Sequence, residues 1–339
     1  MNKRKALSFG LVLATALLLT LLKVPLASSQ GVTLVAAQVT GNLPVKDPNA
    51  EMWQKATTLQ VPLSAQTVTK PIVRETKVKS VSVRALHNDK QIVFLVEWDD
   101  DTKSDSMVRV QDFRDAVALQ FPQVQGQPFF CMGMQGGNVN IWHWKADWQA
   151  DIAGWQDMES QYPNMNVDQY PFAKGDRPSP ADYQDPNYLP AMASNNLFAM
   201  PRLSPVEDLV AGGFGTLTSE GASGQNVQGY GVWENNRWRV IFSRDLTSKE
   251  ADDVSFTPGQ VYSVAFAAWD GANGERNGMK STSQWTSLQL ESAAPAAPAA
   301  GQAQAASLPV NLIMSIVIGV LVLLVIAGAV IYFRLPDGG

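Results

Sequence analysis

The sequence predicts a mainly β fold: an antiparallel β-sandwich with a long irregular insertion, followed by a C-terminal transmembrane helix. Three observations predict it. Several short segments alternate with period two between turns rich in Gly, Pro, Asn and Asp, and no long segment carries a helical period. The stretch from about 148 to 216 holds eight prolines, from Pro163 to Pro205, and reads as a long wrapped loop. Finally, Val310–Phe333 contains no charge and is long enough to cross roughly 30 Å of hydrocarbon.

At the N-terminus, Lys3-Arg4-Lys5 precedes the apolar run 6–22 and then the small residues Ala27-Ser28-Ser29. This is the order of a secretory signal peptide, 1–29, or to 37 if Val35-Ala36-Ala37 is the processing site. An uncleaved N-terminal anchor is the alternative. No cysteine follows the run, which excludes a lipoprotein anchor.

The folded domain is expected over 38–291. Val78–Ala85 alternates, His87-Asn88-Asp89-Lys90 turns, and Gln91–Trp98 returns, making a hairpin. Further strands are expected within 112–121, 139–144, 261–269 and 283–290, and a second hairpin over 231–242 turning at Asn235-Asn236. An Ala/Pro-rich linker, 292–307, cannot build a core and reads as a tether. The span 308–334 ends on Arg334, with a short cytoplasmic tail, 335–339. Basic residues at both ends place the domain on the extracytoplasmic side, periplasmic or outer face, of a single-pass cell-membrane protein.

Charge and composition narrow the function. The chain of 339 residues has a net charge of −5. Residues 38–291 alone hold 21 basic against 30 acidic residues, which argues against nucleic acid and favours a soluble partner with basic patches. The single cysteine, Cys131, excludes an internal disulfide, a self-contained iron–sulfur cluster and a Cys-x-x-Cys-His haem attachment. Two histidines, His87 and His143, exclude a three-histidine metal site. No Gly-x-Ser-x-Gly elbow and no nucleophile–histidine spacing assembles a catalytic set.

Four constellations remain. Asp99-Asp100-Asp101 with Asp105 reads as a solvated turn, with calcium as a second possibility. His143 shares a strand face with Ile141, opposite Trp142 and Trp144; it is a packed histidine or a metal ligand. His87 falls in a turn, where exposure is expected. Phe129–Gly137 is rich in Met and Gly and offers either packing or a thioether for a soft metal or haem iron. Trp269–Lys280 is a glycine-rich loop without a following helix, so phosphate cradling is not expected.

Several segments together resemble the haem-binding γ-subunit family of periplasmic molybdenum oxidoreductases, of the ethylbenzene dehydrogenase, dimethyl sulfide dehydrogenase, selenate and chlorate reductase type. They are RALHNDKQIVFLVEW (84–98), FRDAVALQFP (113–122), Cys131-Met132-Gly133, VNIWHWKADW (139–148), DLVAGGFGTLT (208–218), WRVIFSRDL (238–246) and AAWDGANGERNGMKSTS (267–283). The resemblance implies a β-sandwich holding one non-covalent haem b, with Met132 and Lys280 as axial ligands to the iron. Gly133, and more weakly Trp142, belong to the implied pocket; Met134 and His143 are rival ligands. A lysine must lose its proton to coordinate, against a free pKa of about 10.4, and burial and the iron's charge both push that value down. Met134 stands where the family commonly has an acidic residue, and the C-terminal span is not typical of its soluble members.

The implied function is a non-catalytic, membrane-tethered electron-transfer subunit. Its implied partners are the iron–sulfur subunit and the molybdopterin catalytic subunit of an oxidoreductase, with an external or membrane carrier beyond. Two other readings stand beside it. One is an extracytoplasmic carbohydrate-binding β-sandwich module, suggested by ten tryptophans. The other is a membrane-anchor subunit without haem.

Overall fold

The computed structural model describes residues 33–124, 132–166 and 196–292. The leader to Ser29, the linker beyond Ser292, the span 308–334, the tail and Phe129–Cys131 lie outside the described residues. Among the described residues, no helix is long and apolar enough to cross a membrane.

The architecture is mainly β. The strands in chain order are β1 (Thr33–Gln38), β2 (Leu59–Pro62), β3 (Ser64–Ala65), β4 (Ser80–His87), β5 (Gln91–Asp99), β6 (Ala116–Pro122) and β7 (Val139–Lys145). Then come β8 (Val206–Ala211), β9 (Thr218–Ser219), β10 (Gln228–Trp233), β11 (Arg237–Asp245), β12 (Val261–Trp269), β13 (Ser281–Thr282) and β14 (Thr286–Leu290). Their main path runs β10-β11-β5-β4-β1-β14-β12-β6-β7-β8-β9.

Strand β12 makes this path a sandwich. Its first half, Val261–Val264, pairs with β14, and its second half, Ala265–Trp269, pairs with β6. The two halves of the sheet fold face to face over one core. Phe94 on β5 meets Phe121 and Trp142, each with ring centroids 5.9 Å away, and Trp144 meets Trp238 at 4.9 Å. Burying such aromatic surface is the largest favourable contribution to a fold of this kind.

Both expected hairpins are present. Asn235 and Asn236 have φ of 52° and 57°, the left-handed pair that a tight turn between twisted strands requires. Glu234 and Arg237 close that turn with reciprocal backbone hydrogen bonds of 3.0 and 3.1 Å.

Four expectations are corrected. The sandwich is mixed rather than antiparallel, because β1 runs parallel to both β14 and β4. Residues 39–79 connect β1 to β4, a stretch long enough for the crossover that parallel pairing needs and a hairpin cannot make. The domain begins before residue 38: β1 is an inner strand with Leu34 and Ala36 fully buried, so processing after Ala37 would remove it. The insertion is partly regular. It contains helix α1 (Ala146–Ala153), a short helix α2 (Met158–Gln161) and β8. Finally, His87 is fully buried at the end of β4, and its Nε2 lies 2.8 Å from the carbonyl of Glu291.

Candidate functional site

The inner face of β6–β7–β8 joins the core, and period two turns the alternate residues outward. On β7, Asn140, Trp142 and Trp144 face the core while Ile141 and His143 face out. The outward residues of four strands make an apolar floor: Ala116 and Ala118 from β6, Ile141 from β7, Leu209 from β8 and Ala267 from β12. Alanine side chains leave room above them. A cavity of about 690 Å³ lies there, within the range of about 300–1,000 Å³ typical of ligand pockets.

Met132 and Lys280 meet inside this cavity. Met132 precedes β7, and its carbonyl accepts the Gly213 N–H at 2.8 Å. Gly133 has φ of +75°, and a Cβ there would stand 2.7 Å from the Ala211 carbonyl oxygen. Only glycine lets the chain pass so close to β8 and turn Met132 inward. Lys280 ends the loop after β12, and its carbonyl accepts the Gln66 N–H at 2.9 Å. Its Nζ stands 3.9 Å from the Met132 Sδ and 5.0 Å from the centre of the Trp269 ring.

His143 stacks on the same Trp269 ring, at 4.7 Å and 28°. Its Nε2 is buried and meets no hydrogen-bond partner. Burial, with Lys145, Arg114 and Lys280 nearby, holds the imidazole well below its usual range, so it is neutral at pH 7. Lys145, further along β7, is pushed down to about 8 by its burial, and Arg114 adds to this. Its ammonium is bonded to the buried Glu207.

Other expected site residues stand elsewhere. Met134 is half exposed, in a turn closed by reciprocal bonds with Gly137, and does not line the cavity. Trp142 is corrected from pocket to core: it lies on the opposite face of β7, packed on Phe121 at 4.8 Å and under the Arg244 guanidinium at 4.7 Å. Asp99 and Asp101 are exposed, whereas Asp100 turns inward and gathers with Asp115 and Asp270. That group was not legible, because its three members come from three separate segments.

The donor set fits a haem. Met132 offers a soft thioether and Lys280 an amine, the kinds of donor that iron accepts. Two protein donors leave most of a metal's coordination open, so the remaining ligands would come with a cofactor. An apolar floor and an orphaned neutral imidazole match a flat, largely apolar one.

The sequence profile of the ethylbenzene dehydrogenase family matches residues 50–281. The chain belongs to that family. A respiratory nitrate reductase heme subunit, so named, from Haloferax mediterranei is 24% identical over 272 residues, 77% of this chain and 78% of the relative. The chlorate reductase subunit gamma of Ideonella dechloratans is 25% identical over 72% of this chain and 79% of its own length. The dimethylsulfide dehydrogenase subunit gamma of Rhodovulum sulfidophilum is also 25% identical, over 74% of this chain and 78% of its own. Among solved structures, a carbohydrate-binding protein of Bacteroides uniformis aligns at a TM-score of 0.42 and 8% identity, over 77% of this chain and 100% of that one. In this ethylbenzene dehydrogenase family member, the matched span includes both cavity-facing residues, Met132 and Lys280.

Proposed function

We propose that the chain is a haem b electron-transfer subunit of a molybdenum oxidoreductase complex, with Met132 and Lys280 as the axial pair. The observation that carries this reading is the meeting of a thioether and an amine over an apolar floor. The names of the relatives support it, one a heme subunit and two the gamma subunits of reductase and dehydrogenase complexes. When bound, the haem supplies one-electron redox chemistry.

The chain's own residues would do the rest. Met132 supplies a soft sulfur, which favours reduced iron. Lys280 supplies a nitrogen whose reach is set by the backbone bond from Gln66. The alanine floor, with Ile141 and Leu209, would exclude water and hold the haem by packing. Trp269 walls the Lys280 side. The chain passes electrons and turns over no substrate itself. Its partners are an iron–sulfur subunit and the molybdopterin catalytic subunit. The leader is removed after Ser29, which leaves β1 intact, and the helix 308–334 tethers the domain to the extracytoplasmic face.

A sugar-binding surface needs exposed aromatic rings. Seven of the ten tryptophans are buried, including Trp98, Trp142, Trp144 and Trp238 in the core, so that reading has little to stand on.

The test is the visible spectrum of the purified full-length protein, with acid–acetone extraction. The expected result is a reduced-minus-oxidised b-type α band, one haem per chain, and colour that leaves with the solvent. A colourless protein that takes up no added haem, or colour that stays with the polypeptide, overturns the reading.

A further inference from the structure

We propose that Arg276 and Lys70 form a cationic clamp at the mouth of the cavity that holds the two propionate carboxylates of the haem. The proposal rests on the haem reading above and adds the way the ring is oriented and retained.

Charge sets the site apart. The chain as a whole is acidic, at −5. Yet the cavity is lined by Lys70, Arg114, Arg276 and Lys280 against a single acid, Glu275. Glu275 is buried and already committed. Its Oε1 accepts from the Lys77 N–H and the Asn273 Nδ2, each at 3.1 Å, and its Oε2 accepts from the Asp270 N–H at 3.2 Å. Arg114 is likewise committed, to Asp147 at 2.7 Å. Lys280 faces Met132. Two cations remain, Arg276 and Lys70, both exposed and neither in an ion pair among the described residues.

Arg276 is held in place, and the loop that carries Lys70 is tied to the same segment. The Arg276 guanidinium lies 4.4 Å from the Phe113 ring centre, and its Nη1 donates to the Gly274 carbonyl at 2.6 Å. A tight turn, closed by the Met279 N–H on the Arg276 carbonyl at 2.8 Å, sets Arg276 and Lys280 at a fixed spacing on one loop. The buried Gln66 side chain joins the neighbouring loop to it. Its Nε2 donates to the Gly278 carbonyl at 2.8 Å and to the Thr69 carbonyl at 2.9 Å, and Lys70 follows directly.

Haem b is an apolar ring that carries two carboxylates at one edge. An apolar floor with two uncommitted cations at its rim complements both parts, and a planar guanidinium suits a carboxylate better than an ammonium does. One loop then supplies an axial ligand and an edge contact, so the ring enters with its carboxylates outward.

The experiment titrates the full-length apoprotein in detergent with haemin and with haemin dimethyl ester, following the Soret band. Wild type should bind haemin about tenfold more tightly than the ester. The double variant Arg276→Gln/Lys70→Gln should bind both alike, at the weaker affinity, and keep the wild-type low-spin spectrum. Arg276→Lys, which keeps the charge but not the planar fork, should recover part of the affinity lost in Arg276→Gln. Equal affinities for haemin and ester in wild type, or unchanged haemin affinity in the double variant, overturn the clamp and leave the haem reading intact. A wild-type protein that gives a low-spin spectrum with neither titrant overturns both.

Discussion

The Met132 Sδ lies 3.9 Å from the Lys280 Nζ, although 148 positions separate the two residues in the chain. Met132 enters from the segment ahead of β7 and Lys280 from the loop after β12. The β12–β6–β7 order of the sheet brings both segments over one floor. The folding of the sheet thereby builds the site, and changes that disturb either segment should show in haem retention before they show in the core.

Gly133 gives the sharpest such case. Its φ of +75° and the 2.7 Å approach of the Ala211 carbonyl leave no space for a side chain. Strain of this kind costs about 1–3 kcal/mol. Gly133→Ala should lower the thermal midpoint by several degrees and accelerate haem loss to an apo-haemoprotein acceptor. A variant with wild-type midpoint and haem-loss rate would show that the turn does not position Met132.

Trp142 separates core from pocket. It is fully buried among Phe94, Phe121 and Phe256 on the face away from the cavity. Trp142→Ala should cost about 3–5 kcal/mol of stability. Trp142→Phe, which keeps much of the packing, should lower the denaturation midpoint less and leave the visible spectrum unchanged. A spectral change in Trp142→Phe would place the residue against the haem.

Much of this was legible in the sequence. Asn235-Asn236 announced a hairpin turn, and strand alternation placed His143 beside Ile141 and opposite the tryptophans. β8 was hidden because Glu207 and Asp208 broke its apolar pattern. In the fold both are buried, Glu207 against Lys145 and Asp208 accepting from Asn140 at 2.6 Å. β1 was hidden inside the small-residue stretch of the leader. The cavity could not be seen at all, since alanines on separate strands look like ordinary strand filler until pairing aligns them. Arg276 and Lys70 gave no signal for the same reason: the loops that carry them are far apart in the chain and meet in the fold around Gln66, which bonds to Gly278 and Lys280.

The buried carboxylates predict a pH dependence of stability. Burial, with Glu220 and Asp253 close by, pushes the Asp208 carboxyl up to about 9. Burial, with Asp253 and Asp252, pushes Glu220 up to about 7. Asp115 is raised to about 7 by burial and by Asp100. In each case the folded state holds a proton that the unfolded chain gives up near pH 4. Their contribution is therefore complete below about pH 4 and is lost as pH climbs toward the folded values. The urea midpoint should fall from pH 5 to pH 8. Asp208→Asn, which cannot ionise, should flatten that slope and raise the midpoint at pH 8. A wild-type midpoint that rises over the same interval would contradict this.

The rival ligands are separable by spin state. Met134→Ala should leave a six-coordinate low-spin spectrum, because Met134 is outside the cavity. His143→Ala should do the same, with the loss of its stacking on Trp269 felt only as weaker haem retention. A high-spin His143→Ala protein beside a low-spin Lys280→Ala protein would assign the nitrogen ligand to the histidine.

The most direct measurement is the oxidised visible spectrum of full-length Met132→Ala and Lys280→Ala, recorded beside wild type at equal haem loading. Two axial bonds from these residues predict a low-spin six-coordinate wild type and, in each single variant, a five-coordinate or water-bound high-spin iron. Wild-type spectra in both variants would contradict the account, because the thioether and amine that face each other in the cavity would then not hold the iron.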